Sequence, residues 1–252
     1  MHDHLKTVVI TGGTKGIGAA IAEHFYHHGY AVVVCGRTDN GFVRQLGRGA
    51  FFVKADVRKS VQVKALMAKA VRLTGSVDVV VNCAGFSQWK TLSAIDDKFL
   101  QKMLDINLKG VFWSCQAALP FLRSGAGIVN VASLAGKRGS ANNSAYCAAK
   151  FAVVGLTQAL AKELGPRGIR VNAVCPGYVL TDGVLKALQE RSSPAAGKNI
   201  QAYLKQFTLS QTALKRLPTA GEVAQVCLFL ASPAASAITG QSLNVDCGAL
   251  PQ

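Results

Sequence analysis

Short apolar runs recur along the chain, each followed by a stretch in which apolar residues return at helical spacing. Thr7–Ile10, Ala31–Cys35, Ala50–Val53, Val77–Val81, Gly127–Val131, Ile169–Val174 and Ser242–Val245 read as strands. The runs at 31–35 and 77–81 lack polar alternation over most of their length, as in strands covered on both faces. Between the runs, Ala19–His28, Ser60–Leu73, Phe99–Leu122, Ser144–Leu164 and Thr219 to Leu230 read as helices. Ser60 is placed to cap its helix and Gly75 to close it. Thr219 and Glu222 have capping-box spacing. Pro120 marks a bend or an end, and Gly165-Pro166 a stop. The alternation predicts an α/β fold, a single-domain, Rossmann-type doubly wound parallel sheet of about seven strands with helices on both faces. One stretch breaks the rhythm. From Pro176 to Pro218 no strand is legible and the helical signal is patchy, so residues 176–218 are expected to form a lid or binding loop.

Length and composition narrow the class. Half of the 252 residues are of hydrophobic types, which suits one domain over 1–252 with a full core. The start, Met1 to Lys6, runs into a strand without the basic-then-apolar layout of an export signal. No apolar run approaches the about 20 residues that span a bilayer. A cytoplasmic protein with no membrane partner is expected. Cys35, Cys83, Cys115, Cys147, Cys175, Cys227 and Cys247 are scattered, without the spacing of a metal site or a disulfide frame, and read as small buried residues. No metal is expected. The formal net charge of +15 raises the question of a polyanionic partner. The basic residues form no single stripe and no aromatic residues interleave with them, which argues against specific nucleic-acid binding. The lid region carries Lys186, Arg191, Lys198, Lys205, Lys215 and Arg216 against Asp182 and Glu190. That excess suits an anionic substrate or carrier, or simply a solvated helix surface.

Chemistry concentrates in two places. Thr11-Gly12-Gly13-Thr14-Lys15-Gly16-Ile17-Gly18 lies between the first strand and the first helix. Glycines there let backbone approach a pyrophosphate at a helix N-terminus, whose free N–H groups and dipole favour anions. The second strand ends Cys35-Gly36-Arg37, with no acid in the place that holds a ribose 2′-hydroxyl; Asp39 lies beyond it. Arg37 suits a 2′-phosphate, with Lys15 beside it, so NADP(H) is the expected cofactor. The second place is Tyr146-Cys147-Ala148-Ala149-Lys150. A tyrosine and a lysine four apart on a helix share a face, and a neighbouring ammonium favours the phenolate. Ser133 lies upstream.

Taken together, these motifs resemble the short-chain dehydrogenase/reductase family over essentially the whole chain, and particularly its 3-oxoacyl-carrier-protein reductase-like members. Ala55-Asp56-Val57, Asn82-Cys83-Ala84-Gly85, Ile106-Asn107-Leu108-Lys109-Gly110, Val131-Ala132-Ser133, Arg170-Val171-Asn172 and Pro176-Gly177 extend the match. The resemblance implies that Tyr146 is the general acid/base on the substrate oxygen and that Ser133 hydrogen-bonds the same oxygen. It implies that Lys150 binds the nicotinamide ribose and, with the oxidised ring, depresses the Tyr146 pKa. Asn107 would place a relay water. Gly12, Thr14, Lys15, Gly16, Ile17, Gly18 and Arg37 would hold the phosphates. Asp56 and Val57 would meet the adenine. Asn82, Ala84 and Gly85 would line the cleft, and Pro176, Gly177, Val179 and Thr181 would pack on the nicotinamide. Two departures stand out: Cys83 replaces the usual second asparagine, and Cys247 replaces a glycine in Asp246-Cys247-Gly248.

The implied reaction interconverts a secondary alcohol and a ketone by hydride transfer. Gln88, Trp89, Ala135, Asn143 and Tyr178 are candidate substrate contacts, with Asn142 nearby. Reduction of a 3-oxoacyl thioester on an acyl carrier is the near alternative; Arg123 and Arg167 lie near where such enzymes meet the carrier. An NADP(H)-binding regulator without turnover is the alternative of another class, although the retained Tyr146 and Lys150 speak for an enzyme. A homotetramer is the family expectation, packing through Phe99–Leu122 and Ser144–Leu164.

Overall fold

The structure, a computed structural model, describes Leu5–Pro251; Met1–His4 and Gln252, and with them most of the expected run into the first strand, lie outside the described residues. Seven parallel strands form one sheet: β1 Thr7–Thr11, β2 Ala31–Gly36, β3 Ala50–Lys54, β4 Val79–Asn82, β5 Gly127–Val131, β6 Arg170–Pro176 and β7 Ser242–Val245. Their order is β3-β2-β1-β4-β5-β6-β7, so the direction of winding reverses between β1 and β4. Ligands of open α/β sheets sit at the strand carboxyl ends beside such a reversal. The register pairs Thr11 with Asn82 and Asn82 with Asn130. The turns that follow β1 and β4 therefore emerge side by side.

Successive strand residues face opposite sides, and each side carries its own core. Val9, Val33, Val80 and Ile128 pack with α3 (Ser60–Thr74), α5 (Gly110–Ala118) and α6 (Ser144–Leu164). Val8, Ile10, Val32 and Val34 pack with α1 (Gly16–His27) and α9 (Ala220–Ala231). Both faces being covered explains why these strands read as unbroken apolar runs. The capping box at Thr219 and Glu222 is formed, with Glu222 N–H donating to Thr219 Oγ1 at 3.1 Å.

Three local expectations need correction, and one short helix is new. Ser60 is not a cap: Lys59 holds the N-cap position without a side-chain bond, and Ser60 is already helical. A short helix, α2 (Phe42–Leu46), follows β2. The long helix expected over Phe99–Leu122 is divided into α4 (Asp97–Leu104), a π-helical turn at Asp105–Lys109, and α5, which ends before Pro120. The lid is more regular than its sequence suggests, with α7 (Asp182–Leu188) and α8 (Ile200–Gln211). It has its own small core, in which Ala187, Leu188, Ala195 and Leu204 close on Trp89. Among the described residues no helix is long and apolar enough to cross a membrane. All seven cysteines are free, five of them buried.

Candidate active site

The glycine turn after β1 is set by close backbone approach. A Cβ on Gly12 would lie 2.6 Å from Ala84 Cα, and one on Gly18 2.3 Å from the Gly12 carbonyl oxygen. Gly12 and Gly16 have φ of 69° and 55°, which glycine adopts without cost. Thr11 Oγ1 accepts from both Cys83 N–H and Ala84 N–H at 3.2 Å, fixing the two turns together. The N-cap of α1 is Lys15, with no side-chain bond to the first-turn N–H groups, which remain available to an anion. Thr14 is tied to the loop after β2 by Asn40 Nδ2, which donates to its carbonyl at 2.8 Å. Ile17 is half-buried against the α1 core. This cradle fits a dinucleotide diphosphate.

At the end of β2, Arg37 is exposed. Asp39 is spent on its own turn, where Oδ1 accepts from Gly41 N–H at 2.9 Å. Asp56 is held by Arg58, whose side-chain hydrogen bonds keep the carboxyl below its ordinary range, with a smaller contribution from the Arg37 charge. The Val57 side chain is buried, and Gly110 approaches it so closely that a Cβ there would lie 2.9 Å away. What Asp56 and Val57 offer an adenine is thus mostly backbone and the Asp56–Arg58 rim. Asn82 differs from its expected role. Its side chain points into the core, where Nδ2 donates to Asn130 Oδ1 at 2.9 Å, and Asn130 Nδ2 donates to Thr157 Oγ1 at 2.9 Å. The side chain ties β4, β5 and α6 together, which leaves only the Asn82 backbone to face the cleft. Ala84 and Gly85 stand at the mouth of the turn, with Gly85 against Asn107.

Ser133, Tyr146 and Lys150 converge where β5 ends and α6 begins. Ser133 Oγ accepts from Ala135 N–H at 3.1 Å, leaving its own proton to donate. Tyr146 is half-buried; burial pushes its phenol up to about 12, opposed by a hydrogen bond with the Ser133 hydroxyl. Lys150 is buried and its Nζ donates to the Val131 carbonyl at 2.8 Å, 5.7 Å from the Tyr146 ring centroid. Burial brings its ammonium down to about 8. The expected depression of the Tyr146 pKa calls for the oxidised ring as well as Lys150; among the chain's own groups, burial of the phenol outweighs the Ser133 hydrogen bond. Lys150 is anchored on the strand end, and desolvation of the phenol dominates. The chain by itself keeps the phenol protonated, the form that donates.

Asn107 is held by the loop after β4. Its Nδ2 donates to Phe86 O at 2.8 Å and to Met103 O at 3.0 Å, and its Oδ1 accepts from Phe86 N–H at 3.1 Å. Both amide hydrogens are used, while Oδ1 accepts one bond and keeps a second lone pair on which a relay water could still be placed. The side chain captures the Met103 carbonyl that the helix would otherwise bond, and this accompanies the π turn. Its evident task is to hold the loop after β4.

A family model described as "Enoyl-(Acyl carrier protein) reductase" matches residues 12–249. Proteins named "3-oxoacyl-[acyl-carrier-protein] reductase FabG" are 35% identical in Chlamydia muridarum, over 96% of both chains, and 36% identical in Staphylococcus epidermidis, over 96% of this chain and 98% of the relative. A Brucella melitensis structure described as a short-chain dehydrogenase/reductase, glucose/ribitol dehydrogenase, superposes with TM-score 0.89 at 36% identity, covering 100% of each chain. The chain belongs to the short-chain dehydrogenase/reductase family. A structure of an actinorhodin polyketide ketoreductase variant with NADPH superposes with TM-score 0.88 at 33% identity, covering 97% of each chain. This reductase family member is an oxidoreductase of alcohols and ketones.

On the substrate side, the lid is strapped to the reductase core. Gln88 Nε2 donates to Glu190 Oε1 at 3.2 Å, Asn142 Nδ2 donates to Ser192 O at 3.1 Å, and Trp89 sits in the lid core. Gln88 and Trp89 thus act first as lid contacts. Ala135 is half-buried in the turn beyond Ser133. Asn143 is buried, its Nδ2 donating to Ser140 Oγ at 3.2 Å, while its Oδ1 has no partner. Tyr178 joins Tyr203 and Phe207 in an aromatic group, its ring 4.9 Å from that of Phe207. Pro176 ends β6, and Gly177 N–H donates to Val245 O at 3.0 Å. Val179 is buried; Thr181 caps α7 and stands over Gly16. The lid cations serve partly inside the molecule. Arg216 pairs with Glu222, Lys215 Nζ donates to Leu209 O at 2.9 Å, and Lys198 lies 5.9 Å from the Tyr203 ring centroid. Those contacts account for half of the six without an anionic substrate.

The Lys150 environment gives a pH expectation. Its ammonium is charged below about 8 and neutral above it, whereas the phenol stays protonated to about 12. The turnover number for carbonyl reduction should fall as pH rises through about 8, and Lys150→Arg should move that limb upward. A profile flat through the alkaline range would remove Lys150 charge from the reaction.

Proposed function

We propose that this protein reduces the ketone of 3-oxoacyl thioesters with NADPH. The observation that carries the reading is the pairing of a protonated, half-buried Tyr146 phenol with the Ser133 hydroxyl, on a fold whose glycine cradle has Arg37 just past the end of the neighbouring strand. Relatives named as 3-oxoacyl reductases support the substrate class, and the neighbour bound to NADPH supports the cofactor. When bound, NADPH supplies the hydride. Tyr146 Oη gives its proton to the substrate oxygen, Ser133 Oγ donates a second hydrogen bond to it, and Lys150 Nζ stands by to hold the ribose and reload the phenol. Gly12, Thr14, Lys15, Gly16, Ile17 and Gly18 hold the diphosphate, Arg37 the 2′-phosphate, and Gly177, Val179 and Thr181 the nicotinamide side.

The acyl carrier belongs to the proposal with one adjustment. Arg123 is exposed, but Arg167 donates to the carbonyls of Leu119 and Leu122 at 3.0 and 3.2 Å, closing the end of α5. Arg123, Lys186, Arg191 and Lys205 are then the exposed cations left for an acidic carrier. A homotetramer is also proposed, since Phe112 on α5 and Phe151 on α6 are 44% and 45% exposed. A reducing, cytoplasmic setting fits seven free cysteines.

The direct test follows NADPH absorbance with a short 3-oxoacyl thioester against simple ketones and sugars. Thioester reduction is expected to be fastest. Equal or greater rates on a sugar or plain ketone would replace the substrate class with a general carbonyl reductase, and NADPH binding without turnover on any of them would make the protein a regulator. Arg37→Asp should lower the preference for NADPH over NADH by about 100-fold, the worth of one or two charge-assisted bonds. Unchanged discrimination would take the 2′-phosphate away from Arg37.

A further inference from the structure

The strained turn that closes the chain has no part in the chemistry described so far. Cys247 and Gly248 both have positive φ, 56° and 77°. A non-glycine residue held there costs on the order of 1 kcal/mol and persists only where its surroundings fix it. Asp246 does the fixing. Its carboxylate accepts from Gly248 N–H at 2.9 Å on Oδ1 and from Leu250 N–H at 2.8 Å on Oδ2. The residue is 8% exposed and, among the described residues, makes no ion pair. A buried carboxylate whose hydrogen bonds go to two backbone N–H groups of one turn shapes that turn.

The turn in that shape touches three separate parts of the substrate side. At the start of the lid, Gly177 N–H donates to Val245 O, and a Cβ on Gly177 would lie 3.3 Å from both Cα and Cβ of Asp246. At the end of the lid, Leu214 N–H donates to Cys247 O at 3.1 Å, and a Cβ on Gly248 would lie 2.6 Å from the Ala213 methyl. On the loop between Ser133 and Tyr146, Arg138 donates to Ala249 O at 3.3 Å. Arg138 is also near enough to Tyr178 for its charge to act on that phenol. We infer that Asp246 is a positioning residue for the substrate wall: by fixing the turn after β7, its carboxylate lets that turn clasp both ends of the lid to the loop ahead of Tyr146. For its effect on turnover the inference rests on the proposed ketone reduction; for its effect on the lid it does not.

Hydrogen exchange on the full chain separates the two. In Asp246→Ala, residues 182–211 should exchange about tenfold faster. The KM for a short 3-oxoacyl thioester should rise about tenfold while NADPH affinity, read by its fluorescence, stays put. Asp246→Asn keeps one acceptor oxygen and should recover part of both. Should Asp246→Ala not fold, Arg138→Leu leaves the carboxylate intact, cuts the link to Ala249, and should speed exchange over 135–143 and raise the same KM. Unchanged lid exchange in a folded Asp246→Ala, or in Arg138→Leu unchanged exchange over 135–143, overturns the inference. So does a loss of melting temperature with KM unmoved. If the wild type reduces no ketone, the functional reading fails and the exchange result alone decides the clasp.

Discussion

Tyr146→Phe should lower carbonyl reduction by about 10³-fold, equivalent to about 4 kcal/mol of transition-state stabilisation, while NADPH binds as before. The substitution removes one oxygen and keeps the ring. Because the ring is only half-buried, its packing survives. Lys150 is anchored on Val131 O and does not depend on the phenol for its place. The glycine cradle lies on other elements, β1 and α1. What disappears is the one proton that desolvation holds on the phenol, up to a pKa of about 12. Ser133 can still donate to the substrate oxygen, so a residue of activity should remain. Turnover by NADPH absorbance, cofactor affinity by fluorescence and a melting curve separate these outcomes. Near wild-type turnover would remove Tyr146 as the acid, and lost NADPH affinity would show that the phenol helps to build the cofactor site.

The parts of this site that were legible in the sequence are those fixed by local rules. Unbroken valine runs followed by glycines located the carboxyl ends of β1 and β4, because a strand covered on both faces leaves no polar alternation. The helix Ser144–Leu164 was readable to the residue, and with it the shared face of Tyr146 and Lys150. What stayed hidden depends on distant partners. Asn82 at the end of an apolar run reads as a cleft residue, yet the register sets it opposite Asn130 and turns its amide inward. Asn107 reads as one polar position in a continuous helix; only its bonds to Phe86, twenty-one residues away, accompany the π turn. The lid helices looked patchy because their apolar residues pack on Trp89, supplied from another segment. The anchoring of Lys150 was out of reach for the same reason. Spacing shows that a lysine is near, but not that its Nζ is committed to a strand carbonyl.

Gly18→Ala should cost the protein NADPH affinity by about 100-fold, near the upper end of what overpacking does, about 3 kcal/mol. The new Cβ would stand 2.3 Å from the Gly12 carbonyl oxygen and 2.9 Å from the Gly12 carbonyl carbon and Gly13 Cα. Those are backbone atoms, so no rotamer change relieves the clash. Either α1 moves away from β1 or the glycine turn opens. The first displaces the helix N-terminus proposed to face the diphosphate, and the second pulls Gly12 from Ala84 and strains the Thr11 bonds to the β4 turn. Both outcomes harm the same site, whereas the cores on the two faces of the sheet lie below it and should hold. Gly16→Ala differs in kind: its nearest neighbour is the Thr181 methyl at 3.2 Å, which can give way, and its penalty comes from φ at 55°. Fluorescence titration with NADPH beside a melting curve reads the Gly18 result. Wild-type affinity in Gly18→Ala would mean that the first turn of α1 does not carry the cofactor, and the assignment of the cradle would have to be abandoned.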